Sequence, residues 1–166
     1  LGARSQHIVQ GGAVMPRGHT LRMGRRSLPG HYYLITVVTA ERRPYFLDFA
    51  DGCAAARAFS QPSVYQHATT WAYVVMPDHI HWLLALEGDL SKAVKLYKSY
   101  VSLALGKPVW QRGFHDRLIR EEEGVRDTAR YIVANPLRAG LVNQIGDYSF
   151  WDARWLTPNA GDQVIV

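Results

Sequence analysis

Residues 71–86 read Trp71-Ala72-Tyr73-Val74-Val75-Met76-Pro77-Asp78-His79-Ile80-His81-Trp82-Leu83-Leu84-Ala85-Leu86. Two runs rich in apolar, β-branched and aromatic residues flank a Pro-Asp pair. This pattern predicts a strand over Trp71–Met76 and another over His79–Leu86, with Pro77-Asp78 fixing the turn between them. Side chains alternate along a strand, so His79 and His81 point to one face with adjacent rings, while Ile80 enters the opposite layer. Two imidazoles on a rigid strand form a natural ligand pair for a divalent metal. The plainer alternative is a pair of hydrogen-bonded histidines at a sheet surface.

The flanking elements follow from their own patterns. His31–Thr39 is aromatic and β-branched and reads as a first strand. Asp48–Phe59 carries small and apolar residues at helical spacing behind Asp48, a candidate N-cap. In Asp89–Leu105, Leu90, Val94, Tyr97 and Val101 mark one helical face, and Lys92, Lys95 and Lys98 form a basic stripe on another. Phe114–Arg120 reads as a fourth strand. Glu121, Glu122 and Glu123 suit the positive end of a helix running to Asn135, where Pro136 is expected to stop it. The order predicts an α+β fold, a ferredoxin-like or RRM-like antiparallel sheet with helices packed on one face and the histidine pair on a central strand. Many functions share that plan, so the fold alone decides nothing about activity.

The helix ending at Asn135 carries a second signal. At about 100° per residue, Val125, Ala129, Ile132 and Val133 fall in one arc, the expected buried stripe. Asp127, Tyr131 and Asn135 fall on a different arc, roughly 140° away. A tyrosine there is not a core-packing residue, and its hydroxyl is available at a polar face. A surface tyrosine packing over a neighbour is the plainer alternative.

The 166-residue chain is long enough for one domain with a real core, and its 48 % hydrophobic and 20 % charged content is that of an ordered globular protein. The longest apolar runs are too short to span a bilayer, and the N-terminal stretch lacks a signal-peptide core. The single cysteine, Cys53, excludes an internal disulfide framework and a cysteine-rich zinc site. A cytoplasmic, reducing setting without a membrane partner is therefore expected. The net charge of +5 is uneven: residues 1–43 hold seven arginines against Glu41, whereas the remainder is close to neutral. Such asymmetry points to a nucleic-acid or other anionic partner, or to a solvated leader. Three regions are expected: a basic N-terminal arm over 1–27, in which the stretch before Met15 lies outside the core fold, a catalytic domain over 28–155, and a tail over 156–166.

Taken together, His79-Ile80-His81 and Tyr131-Ile132-Val133-Ala134-Asn135-Pro136 resemble the Y1 (single-tyrosine) transposases of the HUH nuclease superfamily. The longer stretches 75–82, Trp110-Gln111-Arg112-Gly113-Phe114, and Asn135-Pro136-Leu137-Arg138-Ala139-Gly140-Leu141-Val142 are similar to the REP-associated branch. Each motif is weak alone, and their joint occurrence in order over residues 28–155 is specific.

The resemblance implies that His79 and His81 hold a metal, Mg²⁺ or Mn²⁺, and that Tyr131 is the nucleophile. It places Asn135 as a third metal ligand, where the insertion-sequence branch often has the longer Gln. It implies nicking and strand transfer on a single-stranded DNA hairpin, a palindrome of the REP type, through a 5′-phosphotyrosine. It also implies a nucleoid-associated protein acting as a monomer or homodimer. Arg22, Arg25, Arg26, Arg42 and Arg43 are candidate phosphate or guanine contacts, and Lys92, Lys95 and Lys98 a candidate backbone track. Tyr32, Tyr33 and Trp82 are candidates for base stacking or for core packing. Asp127 and His115 are polar neighbours with no assigned role. Three rival readings are a non-catalytic single-strand-binding module, a hydrolase whose metal activates water, and a replication initiator or relaxase.

Overall fold

The computed structural model describes residues 27–120 and 122–154. The elements run β1 (Tyr32–Val38), α1 (Phe49–Ala58), α2 (Pro62–Tyr65), β2 (Ala68–Met76), β3 (His79–Leu86), α3 (Leu90–Leu105), β4 (His115–Ile119), α4 (Glu122–Val133), α5 (Asn135–Arg138) and β5 (Trp151–Ala153). Three single-turn 3₁₀ helices lie in the connections. Local chemistry sets the helix ends, at Asp48 as expected and at Asp89 and Gly106 without having been foreseen. The Asp48 carboxylate accepts from the Ala50 and Asp51 amides at 2.9 and 3.1 Å, and Asp89 accepts from Lys92 N at 2.8 Å. Gly106, at φ 66°, closes α3 in a left-handed turn that a side chain would disfavour.

The sheet is antiparallel throughout, in the order β4-β1-β3-β2-β5. β3 is its central strand, paired on both sides, so the histidine motif sits on the best-supported backbone of the molecule. Register places Thr36 of β1, His81 of β3 and Val74 of β2 side by side, with His115 of β4 beyond Thr36.

Alternation divides the core in two. Ile35 and Val37 of β1 and Ile80, Trp82 and Leu84 of β3 face α1 and α3, where they meet Ala55, Phe59, Val94 and Tyr97. Ala72, Val74, Met76 and Leu83 point the other way, onto Val125, Ala129, Ile132 and Val133 of α4. Helices therefore cover both faces: α1 and α3 supply the one-sided cover expected of the ferredoxin-like plan, and α4 adds cover on the second. The reason lies in the composition of β2, which is apolar on both faces, and in Leu83 of β3, which joins Ala72, Val74 and Met76 on the second.

Trp82 and Tyr33 are core residues, 0 % and 6 % exposed, so neither offers a ring for base stacking. Tyr32 lies edge-on to Trp71, with ring centroids 5.3 Å apart. Pro136 does not end the chain's helical course. α4 stops at Val133, and Pro136 sits in the first turn of α5, where a missing N–H costs no hydrogen bond.

β5 and α2 went unforeseen, being three and four residues long. β5 is held from behind by Phe150. A Cβ placed on Gly52 of α1 would lie 2.5 Å from the Phe150 ring, with three ring atoms inside 3.0 Å. Gly52→Ala is therefore expected to lower stability by about 1–3 kcal/mol through overpacking. Chemical denaturation measures this, and an unchanged midpoint would show that the Phe150 ring moves freely.

Candidate active site

The site is built on the sheet face that α4 covers. His79 and His81 project from β3 with their ring centroids 4.9 Å apart and nearly perpendicular. Each ring is tethered through the same nitrogen. His79 Nδ1 lies 2.6 Å from Asp78 Oδ1, and His81 Nδ1 lies 2.9 Å from Thr36 Oγ1. The nitrogen remaining on each ring is Nε2. This arrangement is that of metal-ligating histidines, whose second nitrogen is held by a carboxylate or hydroxyl that fixes tautomer and orientation.

Asp78 is itself held. Arg42 Nη1 donates to its second oxygen at 3.0 Å, giving a chain Arg42–Asp78–His79. Burial would raise the Asp78 carboxyl, but hydrogen bonds from His79 and Arg42 outweigh it and hold the group below the usual carboxylate range. The loop presenting Arg42 is strained, since Glu41 and Arg42 both adopt left-handed backbone at φ 55° and 52°. Thr39, fully buried, donates its hydroxyl to the Arg43 and Asp78 carbonyls at 2.8 and 2.9 Å and holds that loop against the β2–β3 turn. Non-glycine residues in this conformation cost about 1–3 kcal/mol each and concentrate at functional sites.

His81 is pushed down to about 4, first by burial, then by the charges of His79 and Arg138. Its imidazole is therefore neutral at pH 7, the state that can donate a lone pair. Among the described residues, no three His, Cys, Asp or Glu side chains form a metal-binding group.

Tyr131 lies on α4, 54 % exposed, while Val125, Ala129, Ile132 and Val133 of the same helix are buried, as the helical arcs predict. Beyond it the chain turns back, and Arg138 of α5 stacks on the phenol ring with its guanidinium carbon 3.7 Å from the centroid. Arg138 Nη2 donates to Tyr131 O at 3.0 Å and to Asn135 Oδ1 at 2.9 Å. The Asn135 amide donates to Ile132 O and Tyr131 O at 3.1 and 3.4 Å, partnering carbonyls that α4 leaves open at its end. Arg138 thus rests on the tyrosine ring, and its positive charge is the smallest of the three causes that lower His81.

The other expected contacts are distributed unevenly. Arg22, Arg25 and Arg26, with most of the basic arm and the tail, lie outside the described residues. Arg42 is engaged with Asp78, and Arg43 pairs with Glu41 at 2.7 Å; both arginines remain largely exposed. Lys92 and Lys95 are exposed on α3. Lys98 instead donates to the Gln111 and Gly113 carbonyls at 2.8 and 3.1 Å, anchoring the loop before β4. His115 shares the face and cross-strand row of Thr36 and His81. Asp127 pairs with Arg130 on the helix surface. Sequence reasoning missed Thr36, Asp78 and Arg138 as site residues. Asp78, directly before the histidine pair, was the one detectable without the fold.

Asp78→Asn is expected to weaken Mn²⁺ binding by roughly 10- to 100-fold, the usual cost of removing such a partner. Calorimetric titration would measure it, and unaltered affinity would reduce the Asp78–His79 contact to a fold constraint.

No protein-family model matches the chain. It is 27 % identical over 140 residues to a Haemophilus influenzae protein provisionally named a REP-associated tyrosine transposase, covering 73 % of this chain and 78 % of that protein. It is 34 % identical over 83 residues to the REP-associated tyrosine transposase of Escherichia coli K12, covering 48 % of this chain and half of that protein. A solved REP-associated tyrosine transposase bound to a REP hairpin superposes with a TM-score of 0.63 at 27 % identity, over 86 % of this chain and 97 % of that one.

Proposed function

We propose, from the premise that this chain is a homologue of the REP-associated tyrosine transposases, that it is itself a tyrosine transposase nicking and rejoining single-stranded DNA beside a hairpin. One observation carries this reading: two histidines, each tethered through Nδ1, project from the face covered by the helix that exposes Tyr131.

In the first step, Tyr131 Oη attacks the scissile phosphorus as the P–O3′ bond breaks. The phenol loses its proton to water or a base, and the departing 3′ oxygen gains one. The product is a 5′-phosphotyrosine and a free 3′-OH. Because the phosphotyrosyl ester preserves the bond energy, attack by a 3′-OH reverses the step and joins strands without ATP. Tyr131 is exposed, so an extended strand reaches its hydroxyl without unfolding of the core.

His79 and His81 are the residues that would hold a divalent cation through Nε2. Their donor type favours Mn²⁺ over the harder Mg²⁺. When bound, the cation supplies Lewis-acid polarisation of the scissile phosphate. Asn135 is the proposed third ligand. Its Oδ1 already accepts from Arg138, and an amide oxygen has a second lone pair to offer. Arg42, Arg43, Lys92 and Lys95 are proposed phosphate contacts, joined by the arm arginines Arg22, Arg25 and Arg26. Lys98 serves the site by holding the loop before β4. Among the described residues no helix is long and apolar enough to cross a membrane, and a DNA substrate places the protein with the nucleoid.

The test is a denaturing gel of the protein incubated with labelled hairpin DNA and Mn²⁺. A covalent protein–DNA band is expected. Free 5′-phosphate ends without that band would point to a water-activating hydrolase instead.

A further inference from the structure

Arg138 has no chemical role in the scheme above, yet it touches both Tyr131 and Asn135. Its ring contact with Tyr131 is a close cation–π stack, and both of its hydrogen bonds use the single nitrogen Nη2. Nε–H and Nη1 have no hydrogen-bond partner among the described residues, and the side chain is exposed. With both Nη2 protons engaged, neither forked edge of the guanidinium is free, and its open edge offers Nη1 as a single charge-assisted donor to a phosphate oxygen. Anchoring through Nη2 removes the rotamer freedom that ordinarily weakens an exposed arginine contact.

The position of this edge identifies its ligand. The guanidinium carbon lies 3.7 Å from the centre of the ring whose hydroxyl is to attack. An anion contacted here, beside the nucleophile, is the one undergoing substitution. A contact made only to a distant phosphate would improve binding without altering the chemical step.

We infer that Arg138 is a catalytic residue that holds one of the non-bridging oxygens of the scissile phosphate through Nη1, while Nη2 keeps Tyr131 and Asn135 in register. This inference rests on the transposase reading and adds a second electrophile to it. During attack, negative charge accumulates on those oxygens as the Oη–P bond forms and the P–O3′ bond breaks. A fixed guanidinium stabilises that charge without having to reorganise.

Single-turnover nicking by Arg138→Gln and Arg138→Lys tests the role, with hairpin affinity measured in parallel. Removing one such donor costs on the order of 10²–10³-fold in rate. Arg138→Gln is expected to fall in that range with hairpin affinity within about twofold, as one charge contact among many changes affinity little. Arg138→Lys keeps the charge without the planar guanidinium that stacks on Tyr131 and should recover only part of the loss. Arg138 could instead act solely by orienting Asn135 toward the cation. Saturating Mn²⁺ would then restore the rate of Arg138→Gln, and such rescue overturns the phosphate contact. A rate equal to wild type, or a loss confined to affinity, overturns it as well.

A second readout needs no turnover. In Tyr131→Phe protein without divalent metal, the Arg138 Nε–H resonance, identified by its absence in an Arg138→Lys background, is expected to shift on addition of an oligonucleotide spanning the nick site. A static resonance would overturn the inference. Failure of the transposase reading is separately visible, because wild-type protein would then give no covalent product at all.

Discussion

Tyr131→Phe yields no covalent protein–DNA band on a denaturing gel, while hairpin affinity stays within about twofold of wild type. Phe retains the ring on which Arg138 stacks and removes only the attacking oxygen. The hydroxyl makes no hydrogen bond within the described structure, and the side chain is 54 % exposed, so the fold loses nothing by the change. A surface substitution of this kind alters stability by about 0.5 kcal/mol or less. Loss of the adduct therefore reports chemistry rather than unfolding. An undiminished adduct in the Phe variant would mean that another group attacks the phosphate, and Tyr131 would be merely a helix-surface aromatic.

His81→Ala is expected to abolish detectable Mn²⁺ binding in calorimetry and to slow nicking by about 10³-fold. A bound cation contributes several kcal/mol to stabilising a phosphoryl transition state, and each 1.36 kcal/mol is tenfold in rate. Of the two rings, His81 is the more informative target. It is tied to Thr36 on the neighbouring strand, and its imidazole is held neutral. The substitution also leaves the Thr36 hydroxyl without its partner and opens a small void, costing about 1–3 kcal/mol of stability. A thermal melt run alongside separates that cost from the loss of metal. His81→Gln, which can still reach Thr36, should keep the fold and still lose the metal. Full nicking activity in both His81 variants would remove the cation from the scheme.

Asp78→Asn and Arg138→Gln extend this series outward from the two primary positions. Together the four separate three duties: attack, cation binding, and contact with the phosphate. A fold defect would move all of them at once.

Much of this protein follows from residue order alone. Period-two alternation in His79–Leu86 obliges both imidazoles to share a face, whatever surrounds the strand. The 100° step of an α-helix obliges Tyr131 to leave the core once Val125, Ala129 and Ile132 enter it. Asp48, Asp89 and Gly106 mark their helix ends through hydrogen bonds and backbone preferences that span only a few residues. Each of these is a local constraint, complete within a turn or a strand. What lies between elements is set otherwise. Thr36 reaches His81 only because β1 pairs with β3 in that register, 45 residues away in sequence. α4 covers the sheet face that carries the histidines because Ala72, Val74 and Met76 of β2 and Leu83 of β3 leave an apolar patch there that must be buried. Arg138 folds back onto Tyr131 because Pro136 opens a new turn instead of ending the old one. Cross-strand register and helix docking depend on how distant apolar surfaces fit together, and that fit exists only once the chain has closed on itself.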